Sequence, residues 1–227
     1  MGNELSTGRI PPALHEVISK YGVNWQDEKD VVFAPMWDRQ VYPAIGANNM
    51  RFFQRVQAPG VTLSDTSMTL AGQIPQPQVF LATGLYCDFR SGLPLVKGGQ
   101  LSAAVLANAA DDMAAVLYSG NLAFSIGTKD YAYGAPLAFF PPPYHLELQA
   151  ALSDHSQLAA VVDTPALTVA ASAKLCGDTF AMTPTEIPAG QNFGVTMEWP
   201  EGPVAPPSGI AGVMGVGLLG YMYRPVQ

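Results

Sequence analysis

Charge is what this chain has least of. Lys, Arg, Asp and Glu make up 13% of its 227 residues, where a soluble domain ordinarily carries roughly 25%. Cysteine is nearly missing as well: Cys87 and Cys176 are the only two, and neither has a CxxC partner. Buried free thiols are the expectation, with a single disulfide as the alternative. Of three histidines, His15, His145 and His155, none has a second His, Cys or carboxylate at metal-ligand spacing, so no zinc or cupin-type metal site is expected. Positive charge is scarce. The formal net charge is −7, the sequence pI is about 4.8, and between Gly98 and Pro200 the only basic residues are Lys129 and Lys174. This argues against a surface built to hold phosphates or single-stranded nucleic acid. The first fifty residues hold acids as well as bases, so they are not a basic packaging arm. Long apolar runs are lacking too. The longest uncharged stretch, Gly202 to Tyr223, is broken by Pro203, Pro206 and Pro207 and is too glycine-rich to span a membrane as a helix. MGNELSTGRIPPALHEV contains no apolar h-region, so no signal peptide is expected and the chain reads as soluble and intracellularly made. There is no GxSxG elbow and no Walker loop; neither a catalytic residue nor a cofactor is assigned.

What the chain does have is apolar alternation. Apolar residues reach 48% and mean hydropathy is +0.16. In the segment from Ile187, Phe193, Val195, Met197 and Trp199 alternate with Gly194, Thr196 and Glu198, the period-two signal of a half-buried strand. In GVMGVGLLGYMYRPVQ, Val216, Leu218 and Met222 share one face while Leu219, Tyr221 and Tyr223 share the other. A terminal strand apolar on both faces needs a cover on each, one of them beyond its own core. From Val79 to Phe89 a long core strand is expected, with Val79, Leu81, Leu85, Cys87 and Phe89 on one face and Thr83 the single polar residue there. Further strands are read at 50–57, 121–126, 129–133, 136–140, 144–152, 166–171 and 180–182, separated by Gly and Pro turns.

Two helices are expected. Ile10 to Gly22 opens on Pro11 and Pro12, with Leu14, Val17, Ile18 and Tyr21 recurring on one face. A second, on the surface within 101–117, is read from Asn108 and Asp111 as a start signal and ends near Gly120. Asp111 and Asp112 are explained as first-turn carboxylates favoured by the helix dipole. The chain therefore divides into an N-terminal arm, 1–49, carrying one short helix, and a β body, 50–227, with an all-β antiparallel sandwich or jelly roll as its fold class. GVGLLG at 215–220 matches the dinucleotide fingerprint letter for letter. It is rejected because no helix and no later acidic residue follow it. Its glycines are read instead as a flat strip that another backbone or sheet can approach.

The order of AGQIPQPQVF, then NLAFSIGTKDYAYGAPLAFFPPP, then DTFAMTPTEIPAGQNFGVTMEW and a closing GVGLLGYMYRPVQ resembles the jelly-roll major capsid proteins of icosahedral bacteriophages, including tail-less ones with an internal membrane. The resemblance runs from about Met68 to Gln227. Length departs from the double-roll members and implies one eight-stranded roll. The resemblance further implies a structural, non-enzymatic protein of the virion, assembled in the host cytoplasm. Its partners would be copies of itself in a trimer or larger lattice, other virion proteins and, where present, an inner membrane, without sequence-specific nucleic-acid binding. Low charge and two-sided strands suit a subunit pressed against identical neighbours. Leu14, Val17, Ile18 and Tyr21 of the arm and Leu219, Tyr221, Tyr223 and Arg224 of the last strand are the expected assembly contacts. The alternative is a receptor- or carbohydrate-binding β-sandwich of the spike or tail-tip type; Trp25, Trp37 and Trp199 are scattered rather than clustered as such a module needs.

Overall fold

The structure, a computed structural model, describes residues 29–92, 103–142, 145–153, 166–174 and 179–225. The expected helix over 10–22, with Leu14, Val17, Ile18 and Tyr21, lies outside the described residues, as do Trp25, His15, His155 and Cys176. Among the described residues the chain is all-β with one α-helix. The strands are β1 (Lys29–Phe33), β2 (Met36–Tyr42), β3 (Asn49–Phe52), β4 (Val79–Arg90), β5 (Asn121–Ile126), β6 (Lys129–Pro136), β7 (His145–Ser153), β8 (Ala166–Lys174), β9 (Phe180–Ile187), β10 (Phe193–Glu198) and β11 (Gly212–Pro225). The helix, α1, spans Ala103–Ser119.

Every pairing between the named strands is antiparallel. One sheet runs β1-β11-β4-β9, with β2 beside β1 on the same edge of β11; a second runs β3-β10-β5-β6; β7 and β8 form a separate hairpin. Setting aside β1 and the hairpin leaves eight strands, β2 to β6 and β9 to β11. Their pairing is nested: first with last, second with seventh, third with sixth, fourth with fifth. Alternation explains why the sheets stack. Phe193, Val195 and Met197 of β10 and Leu122, Phe124 and Ile126 of β5 turn inward to meet Phe80, Leu85, Met214, Val216 and Leu218 in one core. Full burial of side chains of this size contributes about 1.5–3 kcal/mol each. Trp199 closes one end, donating its indole N–H to Val116 O of α1 at 3.0 Å, while Tyr42 donates its hydroxyl to Val204 O at 2.6 Å.

Several expectations are corrected. Residues 29–42, read as part of an extended arm, form β1 and β2, hydrogen-bonded along β11. Asp38, Arg39 and Gln40 hid the period there. The expected strand at 136–140 is instead a 3-10 turn, Leu137–Phe139. In β4 the register with both neighbours shifts between Ala82 and Gly84. Thr83 is the extra residue of this β-bulge, its hydroxyl donating to Leu219 O at 3.2 Å. Because one inserted residue reverses the alternation, Phe80 and Ala82 join Leu85, Cys87 and Phe89 in the core, whereas Leu81 points to the outer face. Helix α1 starts at least five residues before Asn108, so the aspartates are not in its first turn. Asp112 is fully buried. It accepts the N–H and hydroxyl of Ser208 at 2.8 and 2.7 Å and the hydroxyl of Ser91 at 2.5 Å, tying the helix to the end of β4 and to the turn before β11. Cys87 is a free thiol in the core; burial, then the neighbouring Asp88 charge, pushes its pKa up to about 12.

Candidate interaction surface

The two outer faces of the sandwich differ in chemistry. On the β3-β10-β5 side the positions that alternate with the core are Asn49, Arg51, Thr196, Glu198, Asn121 and Ser125, small or polar. On the other sheet the register aligns Phe33 of β1, Tyr221 of β11, Leu81 of β4 and Glu186 of β9 in one row across four strands. Leu81 packs with Tyr221 and Tyr223 in a cluster separate from the core. The rings of Phe33 and Tyr221 meet edge to face, centroids 5.7 Å apart at 70°, a geometry that contributes about 0.5–1.5 kcal/mol beyond burial. Phe33 remains 56% exposed, whereas Leu81 is buried within the row. An apolar strip thus crosses the outside of this sheet.

The strip has one polar margin. Tyr223 is hydrogen-bonded to Glu186; burial first, and then the Glu186 carboxylate, hold the phenol well above its usual range. Tyr221 is also shifted up, by burial. Both groups are neutral across the physiological range. Further along the same face the glycines of the rejected fingerprint are covered. A Cβ on Gly217 would lie 2.1 Å from Tyr86 Cζ, and one on Gly215 would lie 2.1 Å from Asp88 Oδ1. Among the described residues, side chains occupy the flat strip at Gly215 and Gly217: Asp88 and Tyr86 of β4, with Arg39 of β2 beside Gly215. Arg90 pairs with Asp88 at 3.2 Å beside it.

Of the residues expected from sequence, the structure brings Tyr221 and Tyr223 together, with Leu219 half-buried just before them. Arg224 stands opposite Asp30 in the β1–β11 register. Phe33, Leu81 and Glu186 were not among the expected residues. Leu81 was assigned to the core because the bulge was not read; a threonine followed by glycine inside an apolar strand is the signal that marks one. Phe33 sat in a stretch without period.

Among the described residues no group of three or more His, Cys, Asp or Glu could hold a metal ion, and no helix is long and apolar enough to cross a membrane. Compared with known proteins, the chain matches no family model, no curated protein and no solved structure.

Proposed function

We propose that this chain is a structural subunit that assembles with copies of itself into a closed icosahedral shell, as the major capsid protein of a bacteriophage does, and that its sandwich is a single jelly roll. The observation that carries the reading is the strip of Phe33, Tyr221, Leu81 and Tyr223 on the outer sheet face. Phe33 is exposed and Tyr221 and Tyr223 are half-buried beside a buried Leu81; apolar area left open in this way disfavours a monomer in water and stabilises a subunit whose neighbour covers it. The nested pairing of first strand with last supports the jelly-roll reading, since two interlocked Greek keys in an eight-stranded double sheet have that order. A charged fraction of 13% supports a surface largely shared between copies.

Three edges of the fold, at β2, β6 and β9, favour copies meeting through faces and loops rather than by adding strand to strand there. Segment 65–67 hydrogen-bonds along β2, Pro184 interrupts β9, and β6 carries register shifts and Gly134 at φ 64. Such features obstruct edge-to-edge pairing. The chain takes no catalytic role in this reading.

The test is the state of the purified protein by light scattering and negative-stain electron microscopy. Cages, sheets or trimers are expected, and Phe33→Asp, at an exposed position, abolishes them while leaving the thermal midpoint of the subunit within a few degrees. A compact monomer at high concentration overturns the proposal; if that monomer binds sugars, the receptor-binding sandwich takes its place.

A further inference from the structure

An apolar groove of about 430 Å³ runs beside α1, walled by Met113, Ala114 and Leu117 of the helix and by Leu137, Phe140 and Pro141 of the connection after β6. Among the described residues no charged one lines it. The second wall is held in place because Phe140 O accepts the backbone N–H of Cys87 at 2.9 Å, which sets the wall against the edge of β4 beyond its pairing with β9. One aromatic side chain of its lining, Tyr118, is 78% exposed.

We propose that this groove receives residues 10–22 of a second copy of the chain. Leu14, Val17, Ile18 and Tyr21 recur at i, i+3, i+4 and i+7, the spacing by which an amphipathic helix lays its apolar side into an uncharged groove. Reach decides which copy supplies them. The described chain begins at Lys29, opposite Pro225, while the groove lies level with Val216, the partner of Cys87. Along β11 those two levels are about 30 Å apart, and the groove is about three strand spacings to the side, so the straight path is roughly 33 Å. The eight residues from Tyr21 to Lys29 extend to about 28 Å when fully stretched. The chain's own arm therefore stops short of its own groove even with no detour around the sheet. An adjacent copy's arm has no such limit. The inference rests on the shell reading only in requiring that copies meet.

The experiment uses full-length protein in a Cys176→Ser background, with Cys87 left in its core. Chains carrying Ile18→Cys and chains carrying Ala114→Cys are co-expressed, oxidised mildly and run on a non-reducing gel, with peptide mapping of the product. The expected result is a disulfide between positions 18 and 114 in a species of twice the chain mass, at least tenfold more abundant than with the control pair Ile18→Cys and Ser64→Cys. A chain carrying both substitutions that closes on itself at monomer mass overturns the exchange. Absence of the bond from protein that still forms cages overturns the groove assignment and leaves the shell reading standing. The bond in dimers that build nothing larger supports the exchange and overturns the shell.

Discussion

The carboxylate of Asp38 accepts the backbone N–H of Phe53 at 2.7 Å, and Phe53 is the one non-glycine residue among those described with a positive φ, 67°. The buried acid on β2 thus fixes the corner at which the chain leaves β3, in a conformation that costs a side-chain-bearing residue about 1 kcal/mol or more. Gln40 and Arg55 also donate to the Asp38 carboxylate, at 3.2 and 3.4 Å. Asp38→Ala removes the acceptor of all three donors from a fully buried position and is expected to lower stability by about 2–4 kcal/mol. Chemical denaturation measures it; an unchanged midpoint would show that the corner holds itself.

Gly217 and Tyr86 are coupled through space. Gly217→Ala would drive a methyl into the Tyr86 ring, which lies 2.1 Å from the ideal Cβ position, so a loss of about 1–3 kcal/mol is expected. In a Tyr86→Ala background the same substitution should cost less than half as much. A double-mutant cycle giving additive losses contradicts the contact.

Asp112 holds three elements with one side chain. Asp112→Asn keeps an acceptor for Ser208 N–H but weakens the charge-assisted bonds to two hydroxyls, and Asp112→Ala loses every bond. Losses of about 1 and about 3 kcal/mol respectively are expected. Hydrogen exchange of α1 should speed up more than that of β10; uniform acceleration would mean that the tie is not local.

Tyr223 makes the strip sensitive to alkali. Its folded pKa lies above the ordinary 10.0, by burial and the Glu186 charge. Stabilisation from the neutral phenol is therefore complete below about pH 10 and is lost as pH rises toward the folded value. Tyr223→Phe should flatten the fall in melting temperature between pH 9 and 11 (chosen test conditions, roughly centred on the phenol's usual range), and the double variant with Tyr221→Phe should flatten it further. If both variants track the native profile, ionisation occurs elsewhere.

What the sequence made legible follows from its periodicity. In β5 and β10 each inward residue is large and each outward one small or polar, so their extents are read almost to the residue. The inward and outward faces of β11 were legible for the same reason, and so was the presence of α1. Where polar residues carry structural duty the signal fails. Asp38 lies inside β2 because it binds the corner at Phe53, and so that strand has no clean alternation. Thr83 reverses β4 midway, so the row that gathers Leu81 with Tyr221 depends on one residue that propensity cannot weigh. Asp112 resembled an ordinary helix-start acid because its partners, Ser91 and Ser208, are distant in sequence. Half of the outer apolar row, Tyr221 and Tyr223, was visible in β11; the other half, Phe33 and Leu81, needed the register.

Strand β11 sits between β2 and β4, at the middle of its sheet, yet comes last of the described strands. During synthesis the sheet cannot close until that segment has emerged, because its neighbours share no direct pairing to hold them meanwhile. Contacts of such long sequence separation form slowly, so a truncated or still-growing chain presents no finished face. The order of the strands thereby times closure: β2 and β4 join one sheet only after β11 has been made.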